Sequence, residues 1–216
     1  MTPSPERDAN PPASITTSFN DSQTSMDFHT HNLHATPGTA IVNLPREFLL
    51  KPDSFIPQPS GLYSAGIHPW WTDSDVRREM EGLQELIRHP QVVALGECGL
   101  DAFKGGDMET QVECFRWQVA LSETAGKPMT IHCVRAFHEL LHIHRSLHPR
   151  QTWTIHGFRG KPALARQLLN AGFNLSFGHR YNPESYALTP EERRHQETDD
   201  APQAPEKGQG INVRQV

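Results

Sequence analysis

The chain of 216 residues is 36% hydrophobic and 21% charged, enough to bury one core and too little for two ample domains. Twenty Lys and Arg against 25 Asp and Glu give a net charge of −5, which excludes a broad basic surface able to coat nucleic acid, so any such contact must be local. Thirteen His raise the expectation of a metal site, because imidazole is the commonest metal ligand.

Cys98, Cys114 and Cys133 are odd in number and lack CxxC spacing, which suits a reducing compartment better than a disulfide framework. Residues 1–25 hold neither a basic n-region nor an apolar run of signal length, and no stretch approaches the roughly 20 apolar residues of a membrane span. The expectation is a soluble cytoplasmic protein with no membrane contact; its oligomeric state is not legible.

Residues 1–25 are rich in Pro, Ser, Thr and Asn and are expected to form a disordered extension. From Met26 onward, short apolar runs alternate with loops and helical stretches, the pattern of β/α repetition. Strands are predicted at 26–30, 39–44, 62–67, 92–97, 128–133, 152–156, 173–177 and, more weakly, 193–198. Helices are predicted at 73–88 with Asp73 or Ser74 as N-cap, at 108–125, at 136–148, and at 162–171 with Gly172 as the stop. The links after the first, second and seventh strands look too short for full helices. The fold class is therefore α/β, a pared-down (β/α)8 TIM barrel over residues 26–200, below the roughly 250 residues typical of that fold. Residues 201–216 read as a tail carrying the first turns of a truncated or missing last helix, which would leave apolar strand surface uncovered. The eighth strand, Arg193-Arg194-His195-Gln196, is unusually polar for a barrel strand, and fraying there would misplace Asp199.

The sharpest local feature is Asp27-Phe28-His29-Thr30-His31. Residues i and i+2 of a strand point to one side, so His29 and His31 can offer two imidazoles to one divalent ion. Taken alone, such a spacing arises by chance in a His-rich chain as readily as by function. Position changes the balance: Glu97, His132, His156 and Asp199 each stand where a predicted strand stops. In a (β/α)8 barrel those C-terminal ends converge on one mouth, where the active sites of such enzymes lie.

Several segments together resemble the TatD-type metal-dependent hydrolases of the amidohydrolase superfamily, over a stretch from Met26 to about Pro202. They are the HxH of His29 and His31, the GE-x-GLD segment from Gly96 to Asp101, the P-x-x-IH-x-x-R segment from Pro128 to Arg135, the His156-Gly157-Phe158 turn and the Glu197-Thr198-Asp199 triplet. The resemblance implies a TIM barrel, two divalent metal ions (Mg, Mn or Zn) and phosphodiester hydrolysis on DNA. It implies that His29, His31 and Asp199 bind one ion, that His132 and His156 bind the second, and that Glu97 bridges both.

In that arrangement Asp199 is the natural proton acceptor for an attacking water, and Glu97 mainly fixes the distance between the ions. Arg135 is a candidate for gripping a phosphate oxygen, and a solvated helix start serves equally well as its explanation. His68, which closes the third strand, is assigned to substrate contact. Trp70 and Trp71 suit a rim lid better than a base-stacking platform, Arg159 and Lys161 read either as phosphate contacts or as loop charges, and His138, His142, His144 and His148 read as surface residues of an outer helix.

Three functional readings stay open. The first is a deoxyribonuclease acting on single-stranded DNA ends through metal-activated water. The second is a metal-dependent hydrolase of a small amide, lactone or phosphoester, although Glu97 stands where many amidohydrolases carry a carbamylated lysine. The third is a disabled barrel that only binds metal or a partner.

Overall fold

In the computed structural model of the protein, residues 26–201 are described. The expected extension at 1–25, and all of the expected tail beyond Ala201, lie outside the described residues. Eight parallel strands close into a barrel in sequence order: β1 (Asp27–Thr30), β2 (Ala40–Asn43), β3 (Leu62–Ala65), β4 (Val92–Asp101), β5 (Met129–Val134), β6 (Trp153–Ile155), β7 (Asn174–Phe177) and β8 (Arg194–Gln196). Six α-helices accompany them: α1 (Arg46–Leu50), α2 (Arg77–Leu86), α3 (Met108–Ala125), α4 (Phe137–Leu147), α5 (Pro162–Asn170) and α6 (Pro183–Leu188). The core lies between the strands and this outer layer, around Phe115, Trp153, Phe158, Phe173 and Phe177, all buried.

The barrel is pared down as expected. No helix separates β1 from β2, the helices after β2 and β7 have only five and six residues, and among the described residues none follows β8. Helix α3 occupies the predicted span, opened by Asp107, whose carboxylate accepts from Thr110 N at 2.8 Å, and closed by Gly126 in the left-handed region. Helix α2 starts later than the sequence suggested, and neither Asp73 nor Ser74 caps it. The Ser74 hydroxyl is engaged with Trp71 O and the Arg46 guanidinium, while the Asp75 carboxylate accepts from Arg77 N at 3.0 Å, so a turn precedes the helix.

The polar eighth strand is held because Arg193, which leads into it, and its Arg194 and His195 find partners. Arg193 donates to Leu169 O at 2.9 Å and to Phe173 O, closing the end of α5. Arg194 donates to Tyr186 O and Thr189 O and lies 4.5 Å from the Tyr186 ring, while His195 stacks on Phe28 at 4.5 Å. The strand is shorter than expected, but it pairs with β7 at three positions and with β1 through Asp27 and Gln196. Beyond it, the Asp27 carboxylate accepts from Thr198 N at 3.0 Å and from Thr198 Oγ1 at 2.6 Å, pinning the seam.

One helical residue departs from its expected place. His138, His142 and His148 are exposed, whereas His144 is half-buried with its ring 4.5 Å from Phe173 and 4.9 Å from Trp153. It sits on the inner stripe of α4 beside Leu140, Leu141 and Ile143, where an imidazole packs as an aromatic.

Two features aim β4 at the mouth. At Gly99, with φ of +144°, a Cβ would come within 2.0 Å of His132 O, and at Gly96, also at +144°, within 2.3 Å of Thr130 O. The second device is a pair of side-chain amides from α3. Gln118 accepts from Ile67 N at 2.7 Å and donates to Ile67 O at 3.1 Å; Gln111 accepts from Asp101 N at 2.8 Å and donates to Asp101 O at 3.0 Å. Each amide satisfies both backbone groups of a residue at the mouth.

Candidate metal centre

Glu97 is the hub of the mouth, and its two oxygens face different groups. Oε2 lies 3.5 Å from His29 Nε2 and 3.3 Å from His31 Nε2; Oε1 lies 2.8 Å from His132 Nδ1, 2.8 Å from His156 Nε2 and 3.1 Å from His68 Nε2. Asp199 closes the first group, its Oδ1 standing 3.5 Å from His31 Nε2 and 3.9 Å from His29 Nε2. The backbone holds these groups in place: Glu97 N donates to the buried Asn43 amide oxygen at 2.7 Å, Asp199 N donates to His29 O at 3.0 Å, and His31 N donates to Asp199 O at 3.1 Å. Asp199 itself has φ of +54°, a left-handed conformation that Asp tolerates better than most residues and that turns its carboxylate toward β1.

The structure brings together all six residues the resemblance implied as ligands: His29, His31, Glu97, His132, His156 and Asp199. His68, expected at the substrate, is buried against Glu97 and shares one potential ligand group with Glu97 and His132. Its Nδ1 accepts from Trp70 N at 3.2 Å, which leaves Nε2 turned to the hub. Arg135 is exposed on the rim of a cavity of about 600 Å³ that is also lined by His132, His156, Arg159 and Asp199. Trp70 caps the opposite rim under the Lys104 ammonium, 3.8 Å from its ring centroid, and Trp71 packs against the core.

Two carboxylates had no role assigned from sequence. Asp101 lies 3.2 Å from His132 Nε2 and accepts from Trp70 Nε1 at 2.7 Å, while Glu197 lies 3.3 Å from His156 Nδ1 and accepts from Gly157 N at 2.6 Å. Each imidazole thus has one nitrogen toward Glu97 and the other on a carboxylate, the arrangement that orients histidine ligands and raises their basicity. Both acids sit inside the segments that carried the resemblance, GE-x-GLD and Glu197-Thr198-Asp199, so their strand-end position was the available signal.

Burial opposes ionisation of Glu97, yet His156, His132 and His29 around it hold its carboxyl well below the usual range. Burial likewise opposes charge on His156, and the charges of Glu97 and Glu197 override it and push that imidazole well up. Burial lowers His68, with Glu97 pulling the other way. A carboxylate kept anionic in a nest of imidazoles is a strong donor to a cation.

Unpartnered atoms point the same way. Both ring nitrogens of the buried His29 lack a hydrogen-bond partner among the described residues. Buried polar atoms are rarely left so unless something else completes them. Imidazole and carboxylate donors fit a divalent ion such as Zn, Mn or Mg, and the residues present suit such ions.

Known proteins resemble this chain in sequence and fold. A family model described as TatD related DNase matches residues 57–216, a span that includes His68, Glu97, His132, Arg135, His156 and Asp199 and leaves out His29 and His31. An uncharacterized metal-dependent hydrolase TatD of Mycobacterium tuberculosis is 33% identical over 122 residues, covering 53% of this chain and 46% of that protein. A 3'-5' ssDNA/RNA exonuclease TatD of Musicola paradisiaca is 32% identical over 118 residues, covering 52% of this chain and 43% of that protein. The chain spans about half the length of the curated relatives it matches. Among solved structures, the TatD homolog YJJV from Escherichia coli superposes with a TM-score of 0.63 at 26% identity, over 82% of this chain and 74% of that one. A TatD family hydrolase from Entamoeba histolytica shares the fold, with a TM-score of 0.62 at 19% identity over 90% of this chain and 79% of the other. With the family model matching well over half of its length, the chain belongs to the TatD related DNase family.

Proposed function

We propose that the protein is a metal-dependent phosphodiester hydrolase, a nuclease that trims single-stranded nucleic-acid ends with water as the nucleophile. The observation that carries this reading is Glu97, whose two oxygens each face a separate group of imidazoles, as a carboxylate shared between two cations must. His29, His31 and Asp199 would hold one divalent ion, His132 and His156 the other. Such ions, when bound, acidify a water and neutralise charge on the phosphoryl oxygens.

The chain's own residues do the rest. Asp199, partly exposed at the edge of the cavity, accepts the proton of the attacking water. Asp101 and Glu197 orient the rings of His132 and His156, so that the nitrogen opposite each acid is turned to Glu97, where it would meet an ion. His68 stands against the hub and contacts the substrate from β3, and Arg135 grips a phosphate oxygen with its planar fork. The name borne by the Musicola relative supports single-stranded DNA or RNA as the substrate class. The paired and pinned eighth strand weighs against a disabled barrel, because it delivers Asp199 to the mouth.

The test is hydrolysis of an end-labelled single-stranded DNA with added Mg²⁺ or Mn²⁺, beside chelator-treated protein and Asp199→Asn. Metal-dependent stepwise shortening, lost in the variant, is the expected result. A folded, metal-loaded protein that leaves the strand intact refutes the reading.

A further inference from the structure

Three consecutive strands each deliver an arginine to the rim of the mouth: Arg135 just past β5, Arg159 past β6 and Arg180 past β7. All three are exposed, and none makes a hydrogen bond or ion pair with another described residue. Arg135 and Arg159 line the cavity of about 600 Å³ over His132 and His156. Arg159 and Arg180 line a second recess of about 360 Å³ with His179, Thr198, Asp199 and Asp200, and Gly157, Arg159 and Asp199 belong to both. The two hollows adjoin at these residues and together form a trough that leaves the mouth over the β6–β7 side. A chain of net charge −5 gathers guanidiniums without a partner among the described residues there, while the β3–β4 side of the mouth carries the exposed aromatics Trp70 and Phe103. Three acidic residues line the second recess as well: Asp199 faces His31, the buried Glu197 is engaged with His156 and Gly157 N, and the charge of Asp200 acts on His31.

The geometry points to Arg159 and Arg180 as a track for successive backbone phosphates of a single strand, beyond the one at the reacting centre. This rests on the nuclease reading and sharpens it: the strand crosses the mouth with its body toward β7. The track requires a substrate of several phosphates. Guanidiniums on a rim bind phosphate without reading bases, so the track selects charge spacing and not sequence.

The experiment measures binding apart from cleavage. A fluorescein-labelled, phosphorothioate-linked and hence cleavage-resistant oligothymidylate hexamer is titrated by anisotropy with the Mg²⁺-supplemented full chain, across a salt series. R159A/R180A is compared with wild type and with R166A, an exposed arginine on α5 outside the trough. The expected result for the double variant is binding about tenfold weaker. The slope of log affinity against log salt becomes shallower by about 1.4, two phosphate contacts of about 0.7 each, with the loss much smaller for a dinucleotide. The inference is overturned if the double variant loses no more than R166A, if the salt slope is unchanged, or if wild type does not bind the hexamer. Failure of the nuclease reading shows elsewhere, as hexamer binding with no cleavage of unmodified DNA.

Discussion

Glu197 offers a test of how the proposed centre is held without altering the six residues proposed to hold a cation. Its Oε1 accepts from Gly157 N at 2.6 Å and lies 3.3 Å from His156 Nδ1, in a side chain with no solvent exposure. Glu197→Gln keeps the shape and one acceptor but removes the charge. A hydrogen bond to an ionised group contributes about 1.5–3 kcal/mol, and roughly half survives in a neutral amide, so His156 loses about 0.8–1.5 kcal/mol of orienting energy. Carboxylates behind metal-bound imidazoles elsewhere are worth 10–100-fold in affinity, close to this figure. The assay is competition for Zn²⁺ or Mn²⁺ against a chromophoric chelator, with circular dichroism melting as a check on folding. A drop of about four- to tenfold in affinity of a folded variant is expected. Unchanged affinity would refute the claim that Glu197 orients His156.

Other perturbations follow from the same structure. Added Mn²⁺ at a hundredfold excess over its dissociation constant should stabilise the fold by about 2.7 kcal/mol and raise the melting temperature by roughly 5–10 °C, an effect reversed by chelator and visible by calorimetry. Gly99→Ala combines a φ of +144° with a Cβ 2.0 Å from His132 O, and should cost more than about 4 kcal/mol, read as insoluble expression or a collapsed melting curve. Burial pushes the Cys114 thiol up to about 11 and raises Cys98 and Cys133 as well, so at pH 8 the thiolate fraction is small. A thiol reagent should label the native protein slowly and all three cysteines at once in urea. Arg193→Met removes the bonds to Leu169 O and Phe173 O and should destabilise by about 1.5–3 kcal/mol, measured by urea unfolding.

Much of this was legible where sequence pattern and tertiary role coincide. Helix α3 was legible from its periodic apolar stripe, and the structure bounds the same span with the Asp107 cap and the Gly126 stop. The six ligand candidates were legible because each stands at or near the end of a predicted strand, and closure of the barrel supplies the proximity that no local pattern contains. What escaped depends on partners distant in sequence. Glu197 and Asp101 take their meaning from rings 41 and 31 residues away. The polar β8 looked unfit for a barrel because the carbonyls of Leu169, Phe173 and Tyr186 that occupy its arginines are invisible in a strand of six letters. Likewise, helical spacing alone could not tell His144, wedged between Trp153 and Phe173, from its exposed neighbours.

The two glutamines of α3 carry a further consequence. Gln111 and Gln118 bond both backbone groups of Asp101 and Ile67, the work a neighbouring strand normally does. Where β3 and β4 run out toward the mouth, a helix on the outside of the barrel acts as a splint for them. His68 follows Ile67 directly, and Asp101 steadies His132, so a shift of α3 along its axis would be felt in the rings around Glu97. On this side, the bore of the active mouth is gauged from outside the barrel wall.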